Sequence, residues 1–203
     1  NGQVCISPNR FYIHEKKKDE FADLMVQKTK KLKIGNGMDK DTLLGPLCTK
    51  QRLEGVEKLV ETTKKEGGKV LLGGKRAANF NKGYFYEPTI FDNIQDNFTV
   101  MKEEPFGPIV PILTFKDFDE VMNRANNNDL GLCSYVYTTD LKKANKASEL
   151  LESGCVAVNT PVVAVAEAPF GGIKQTGYGR EGGSMAIKDY LNIKYTHFGI
   201  SYE

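Results

Sequence analysis

The chain has 203 residues, and its 28 Lys and Arg against 26 Asp and Glu leave a formal net charge of +2. Its 40% hydrophobic, 10% aromatic and 27% charged content is that of a globular protein; a chain this long buries roughly 70% of its unfolded surface and needs no disulfide or metal staple. The balanced charge excludes the polybasic footprint of a nucleic-acid binder, and no apolar run approaches the roughly 20 residues of a membrane helix.

Arg10-Phe11-Tyr12-Ile13-His14 is aromatic and β-branched, which predicts a short strand. Phe21, Leu24, Met25 and Leu32 recur at helical spacing over residues 15–33, and Gly35, Asn36 and Gly37 stop that helix. The lysines interleaved with them read as a solvated helix face. Thr49 can cap a second helix, with Leu53, Val56, Leu59 and Val60 on one face and Gly67-Gly68 at its end. Residues 69–72 read as a strand stopped by Gly73-Gly74, and residues 75–83 as a polar loop. Residues 84–94 look extended but are broken at Pro88.

Residues 109–115 predict a buried strand, followed by a helix that begins at Asp117 or Asp119 and runs to about Asn126. Residues 133–137 predict the next strand, Asp140 caps a helix ending near Glu152, and residues 155–158 are again a strand. Strands alternating with helices, several of them continuously apolar, argue for a parallel α/β sheet. The glycines at 171, 172, 177, 179, 182 and 183 make a loop, then residues 184–191 a helix. Residues 193–198 alternate like a strand with no helix after it: an edge strand, or one lent to a neighbour.

Cysteines stand at 5, 48, 133 and 155, none in CxxC spacing, and the only histidines are His14 and His197. No metal site and no disulfide framework are expected. No secretory signal is expected, and a reduced, cytoplasmic setting is the default expectation. The chain opens on Asn1, not Met, with a candidate reactive site five residues in; we expect further scaffold upstream.

Three runs carry candidate chemistry. In Asn1-Gly2-Gln3-Val4-Cys5, a thiol follows a glycine that permits close backbone approach, and the Cys5 N–H could face an oxygen that becomes negative during attack. Taken alone, Cys5 reads more readily as a buried, inert thiol. Lys102-Glu103-Glu104-Pro105-Phe106-Gly107-Pro108 sets carboxylates beside a rigid aromatic turn, suited to diol hydroxyls and a flat ring, or simply a strand-entry turn. Ala168-Pro169-Phe170-Gly171-Gly172-Ile173-Lys174-Gln175-Thr176-Gly177-Tyr178-Gly179-Arg180-Glu181 implies unusual backbone angles and is not a GxGxxG fingerprint.

In their order and spacing these runs resemble the aldehyde dehydrogenase superfamily, from Asn1 to about Ile200. Leu44-Gly45-Pro46-Leu47, Gly83-Tyr84-Phe85-Tyr86-Glu87-Pro88-Thr89 and Val158-Asn159 match as well. The resemblance implies a three-layer αβα catalytic domain over residues 1–187 and a C-terminal oligomerisation strand over 188–203. Cys5 would attack an aldehyde carbonyl, and its amide would form half of the oxyanion hole. Glu104 is similar to the family's ligand for the nicotinamide ribose and Phe106 to the residue beside that ring, for NAD or NADP. Val4, Ile6, Ala164 and Phe170 would wall the substrate pocket, and Glu181 resembles a proton-relay acid.

The end of the chain is most like the succinate-semialdehyde branch. Ala164, however, stands where that branch typically has a serine to hold the substrate carboxylate, and Ser7 where some members carry a second cysteine. The resemblance places the dinucleotide-binding domain, the general-base glutamate and half of the oxyanion hole before Asn1. Residues 1–203 alone are therefore expected to be severely impaired, since one lost oxyanion donor costs roughly a hundredfold or more. The expected partners are a small-molecule aldehyde and further subunits of a dimer or tetramer, with no nucleic acid and no membrane. Two alternatives stand beside this reading. One is an inactive fragment serving as a folded or oligomerisation module; the other is a cysteine hydrolase pairing Cys5 with His14 or His197.

Overall fold

The structure, a computed structural model, describes residues 1–200. The chain folds as two compact units, residues 1–128 and the residues from Asp129 onward.

The first unit contains, in order, β1 (Phe11–His14), α1 (Lys18–Thr29), α2 (Lys50–Lys65), β2 (Lys69–Leu72), β3 (Thr89–Asp92), α3 (Thr99–Lys102), β4 (Ile109–Phe115) and α4 (Phe118–Asn126). Its sheet has the order β1-β4-β3-β2. Both β1 and β3 run parallel to β4, whereas β2 closes the far edge antiparallel to β3.

Strand side chains alternate between the two faces of a sheet, and this sorts the core into two layers. Phe91, Ile109 and Leu113 pack with Leu53, Val56, Leu59 and Val60 of α2. Their neighbours Ile90 and Ile112 point the other way, against Ala22 and the half-buried Phe21 and Met25 of α1. A helix therefore covers each face of the central strands, which is the expected αβα layering. The apolar stripe of α2 starts on time because Thr49 Oγ1 accepts the Arg52 N–H at 3.1 Å, filling one of the helix's open donors. The first helix is shorter than its sequence spacing suggested. It closes at Thr29, where the Lys30 N–H bonds Val26 O; past that point Leu32 is the one apolar side chain before Ile34, too little to bury another turn.

The second unit is built on β6 (Cys133–Val136), α5 (Leu141–Leu150) and β7 (Cys155–Val158), a parallel strand pair joined through a helix. Asp140 caps α5 by accepting the Lys142 and Lys143 N–H groups at 2.9 and 3.1 Å. Asn159 ties the pair's end to Thr138, accepting its N–H and donating to its carbonyl, both at 2.9 Å. Among the described residues, the buried apolar side chains of this unit are Ala144, Ala147 and Ala157. Two short strands, β5 (Leu130–Gly131) and β8 (Ile173–Lys174), pair antiparallel.

The helix expected over 184–191 is a 3-10 turn, Ala186–Tyr190, with no buried residue to hold a longer one. Residues 193–200 form no ladder, and Ile193 and Phe198 are 99% and 82% exposed. A strand's N–H and C=O groups need a partner strand, and none of the described residues supplies one here. Among the described residues, no helix is long and apolar enough to cross a membrane.

Candidate functional site

Because β1 and β4 are parallel, the segments that feed them reach the sheet at the same, amino-terminal edge. Residues 1–10 feed β1 and residues 103–108 feed β4. Two of the three chemistry-bearing runs are brought together in this way.

The contact between them is made by glycines. Gly2 has φ +78°, and a Cβ placed on it would lie 2.2 Å from the Gly107 carbonyl oxygen. No side chain fits there, so Gly2 lets the two backbones touch. On either side of Gly2, polar side chains fasten the run to a third segment. Asn1 Nδ2 donates to Pro46 O at 2.9 Å. The Gln3 amide uses both ends on Cys48: its Oε1 accepts the Cys48 N–H at 3.0 Å, and its Nε2 donates to Cys48 Sγ at 2.9 Å. After these three anchored residues the chain turns, with the Ser7 N–H bonding Val4 O at 2.9 Å. Cys5 is in that turn, and its thiol is free and exposed. Val4 is exposed beside it and Ile6 is half-buried. The inert-core reading of Cys5 is thereby set aside.

The Glu104–Phe106 loop is held from below. Pro105, Gly107 and Pro108 are buried, while Glu103 and Glu104 are exposed. Thr89 N–H bonds Pro108 O at 2.8 Å. Gly107 lies so close to α2 that an added Cβ would sit 2.5 Å from Val56 Cγ2. Phe106 is held at φ +41°, a conformation that costs a non-glycine residue about 1–3 kcal/mol and persists only when its surroundings enforce it. Arg52, in the first turn of α2, is the visible restraint. Its guanidinium carbon lies 5.6 Å from the Phe106 ring centroid, and its Nη1 donates to Pro105 O at 3.4 Å. The loop thus offers an exposed carboxylate, an acceptor for paired hydroxyls, beside a half-buried ring fixed in one attitude. Those features fit a ribose and the flat ring it carries.

The third run lies in the second unit. Phe170 and Glu181, eleven residues apart in sequence, pair through their backbones, each N–H bonding the other's carbonyl at 2.7 Å. Gly182 and Gly183 lie against the backbone of residues 165–169, where a Cβ would meet Ala168 O and Pro169 N at 2.8 and 3.1 Å. Arg180 fastens the loop, donating from Nη1 to Gly172 O at 2.9 Å and from its backbone N–H to Asp189 Oδ2 at 2.7 Å. Ala164 and Glu181 are exposed and Phe170 is half-buried.

His14 does not serve Cys5. It stands at the carboxyl end of β1, where its Nδ1 accepts the Lys16 N–H at 3.2 Å and its ring meets Phe115 edge-on. Cys48 and Arg52 were not among the residues singled out by sequence. Each lies dozens of residues from the run it supports, and neither spacing nor residue type links them to it.

The chain is similar to known proteins over nearly its whole length. The model of the aldehyde dehydrogenase family matches residues 1–196. The chain is 41% identical to the chloroplastic betaine aldehyde dehydrogenase of Beta vulgaris over 203 residues, all of this chain and 41% of that protein. It is 40% identical to the NADP(+) succinate-semialdehyde dehydrogenase of Escherichia coli, covering 98% of this chain and 41% of that one. Its fold superposes on the crystal structure of succinate-semialdehyde dehydrogenase from Burkholderia pseudomallei with a TM-score of 0.93 at 39% identity, over 97% of this chain and 40% of that one. The chain therefore spans about two fifths of the length of the relatives it matches. With a matched family model over nearly its whole length and these folded relatives, the chain belongs to the aldehyde dehydrogenase family.

Proposed function

We propose that this chain is the nucleophile-bearing part of an enzyme that oxidises an aldehyde to a carboxylate with NAD or NADP. The observation that carries the reading is the meeting of the Cys5 run and the Glu104–Phe106 loop at one sheet edge, through Gly2 and Gly107. Cys5 Sγ, as thiolate, adds to the carbonyl carbon; the C–S bond forms and the carbonyl electron pair moves onto oxygen. The Cys5 N–H donates to that oxyanion as one half of the hole. When bound, the nicotinamide supplies the hydride acceptor that turns the adduct into a thioester. Water then hydrolyses the thioester and frees Cys5. An ordinary thiol is only a few per cent thiolate at neutral pH, so a base must assist. We assign that base, the second oxyanion donor and the dinucleotide-binding domain to chain preceding Asn1.

Glu104 accepts the ribose hydroxyls and Phe106 packs beside the ring; the exposed carboxylate and the restrained aromatic support both roles. By the resemblance we assign substrate contact to Val4 and Ile6 in the first unit and to Ala164 and Phe170 in the second, and passage of a proton to Glu181. We place residues 1–187 in the catalytic domain and residues 188–203 in an oligomerisation tail of a dimer or tetramer in the cytoplasm. The substrate we favour is a semialdehyde such as succinate semialdehyde, in keeping with the names of the relatives. Betaine aldehyde is the second candidate: a betaine aldehyde dehydrogenase is as similar, and Ala164 offers no hydrogen bond to a carboxylate.

The test is oxidation of succinate semialdehyde, betaine aldehyde and simple aldehydes with NAD and with NADP, by this chain and by a version extended upstream. The extended form should turn over and its Cys5→Ser variant should not. A dead extended form with Cys5 intact would sink the assignment. Turnover by neither form, with both folded, would leave the alternative of a folding or assembly module.

A further inference from the structure

We propose that Gln3 is a positioning residue for the nucleophile: its side-chain amide, closed on Cys48, sets where the Cys5 turn stands. This rests on the reading of Cys5 as the attacking atom. In the turn itself Val4 and Cys5 are exposed, and the Ser7 N–H bonds Val4 O. What precedes it is anchored on two sides. Gly2 abuts the Gly107 carbonyl; Asn1 and Gln3, the residues flanking Gly2, both bond the segment 46–48. Gln3 is the last of these anchored residues before the turn, and its side chain meets Cys48 at two points.

That contact is specific in its chemistry. A primary amide carries an acceptor and a donor on one plane, and Cys48 presents a backbone N–H and a sulfur acceptor in matching positions. Two hydrogen bonds fix the direction of the Gln3 side chain as well as its location, and through it the backbone two bonds upstream of Val4. Reaction rates fall by as much as roughly a hundredfold for an ångström of misplacement at the reacting atom, so a lever this short matters. Arg52, the first-turn residue of the helix that Thr49 opens beside Cys48, restrains the Phe106 loop. One stretch, residues 46–52, thereby references both halves of the site.

Gln3→Met keeps the length of the side chain and removes both hydrogen bonds; Gln3→Glu keeps the acceptor for the Cys48 N–H and loses the donor to sulfur. In the upstream-extended enzyme, Gln3→Met should lower kcat by roughly a hundredfold while the KM for the dinucleotide changes by less than about twofold, and Gln3→Glu should recover part of the loss. In this chain alone, amide exchange of the peptide over residues 1–8 should quicken about tenfold in Gln3→Met, with α2 and β4 unchanged. An unaltered kcat in Gln3→Met overturns the proposal. So does a loss of kcat matched by faster exchange across α2 and β4, which would mark Gln3 as a residue of general stability. If Gln3→Met does not fold, the milder Gln3→Glu decides by the same two readings. Cys5→Ser separates the layers: turnover by Cys5→Ser refutes the nucleophile assignment itself, whereas a dead Cys5→Ser beside a fully active Gln3→Met refutes only the role of Gln3.

Discussion

The two compact units are built to different plans. The first buries large side chains to completion: Phe91, Ile90, Ile112 and Leu113 are sealed between strands and helices. Among its described residues the second buries three alanines and leaves Tyr178, Ile187, Tyr190, Ile193, Tyr195 and Phe198 in the open. A helix can approach a sheet closely over alanine, as α5 does, but each such residue contributes little apolar area. The contrast teaches where rigidity resides. Cys5, Glu104 and Phe106 are mounted on the unit with a filled interior, which fixes Pro105, Gly107 and Pro108 in place. Phe170 and Glu181 are mounted on backbone pairing, glycine contacts and the Arg180 hydrogen bonds.

The contrast can be broken or sharpened by experiment. The largest effect is expected from Phe91→Ala, which empties the middle of the first core and should cost about 3–5 kcal/mol in urea unfolding. A loss below about 1 kcal/mol would mean that the first unit is no better filled than the second. Next comes a pH effect confined to the first unit. Burial, and then the hydrogen bond from the Tyr12 hydroxyl to Asp96 Oδ1 at 2.8 Å, push the Tyr12 phenol from 10.0 up to about 12. A raised value means that the unfolded chain releases its proton first. The contribution is whole below pH 10, and it fades as pH climbs to about 12. The urea midpoint of the first unit should drop across that window, and Tyr12→Phe should flatten the drop.

The helix caps give a matched pair. Thr49→Ala and Asp140→Ala each remove an N-cap and should each cost about 1 kcal/mol. Amide exchange should show α5 opening more widely than α2 for the same cost, because α5 has less apolar contact in reserve. Equal opening would contradict the difference in plan. The smallest effect is assigned to Phe198→Ser, which should change thermal stability by less than about 0.5 kcal/mol, since its ring touches solvent over most of its area.

Much of this was legible in the sequence, and the reasons are local. The α2 stripe at Leu53, Val56, Leu59 and Val60, the Thr49 and Asp140 caps, and the apolar strand at 109–115 all announce themselves within a few residues. Asp117 and Asp119 stood as equal candidates for the start of α4, and the structure chooses Asp117, whose Oδ1 accepts the Glu120 N–H at 2.9 Å. The one-turn α3 and the two-residue β5–β8 pairing were missed. The first is too short to have a period, and the second joins residues some forty positions apart. The strand expected at 193–198 shows the limit from the other side: alternation can specify a strand's faces and cannot supply its partner. In the site, the runs with Cys5 and Glu104 were visible as motifs, but the residues that hold them, Cys48 and Arg52, were not. Their contribution depends on α2 starting beside the sheet edge, a fact of the fold.

The abutment of Gly2 on Gly107 has a consequence for anyone who would redesign this protein. With no side chain between them, the two loops have no compressible layer, so a displacement of one meets the backbone of the other. An insertion in the Cys5 run would press on the Glu104–Phe106 loop, and a graft of either loop into another scaffold would have to bring its counterpart along. Variation that alters one loop while sparing the other must therefore come from exposed neighbours, Val4 on one side and Glu103 on the other, and not from the seam itself.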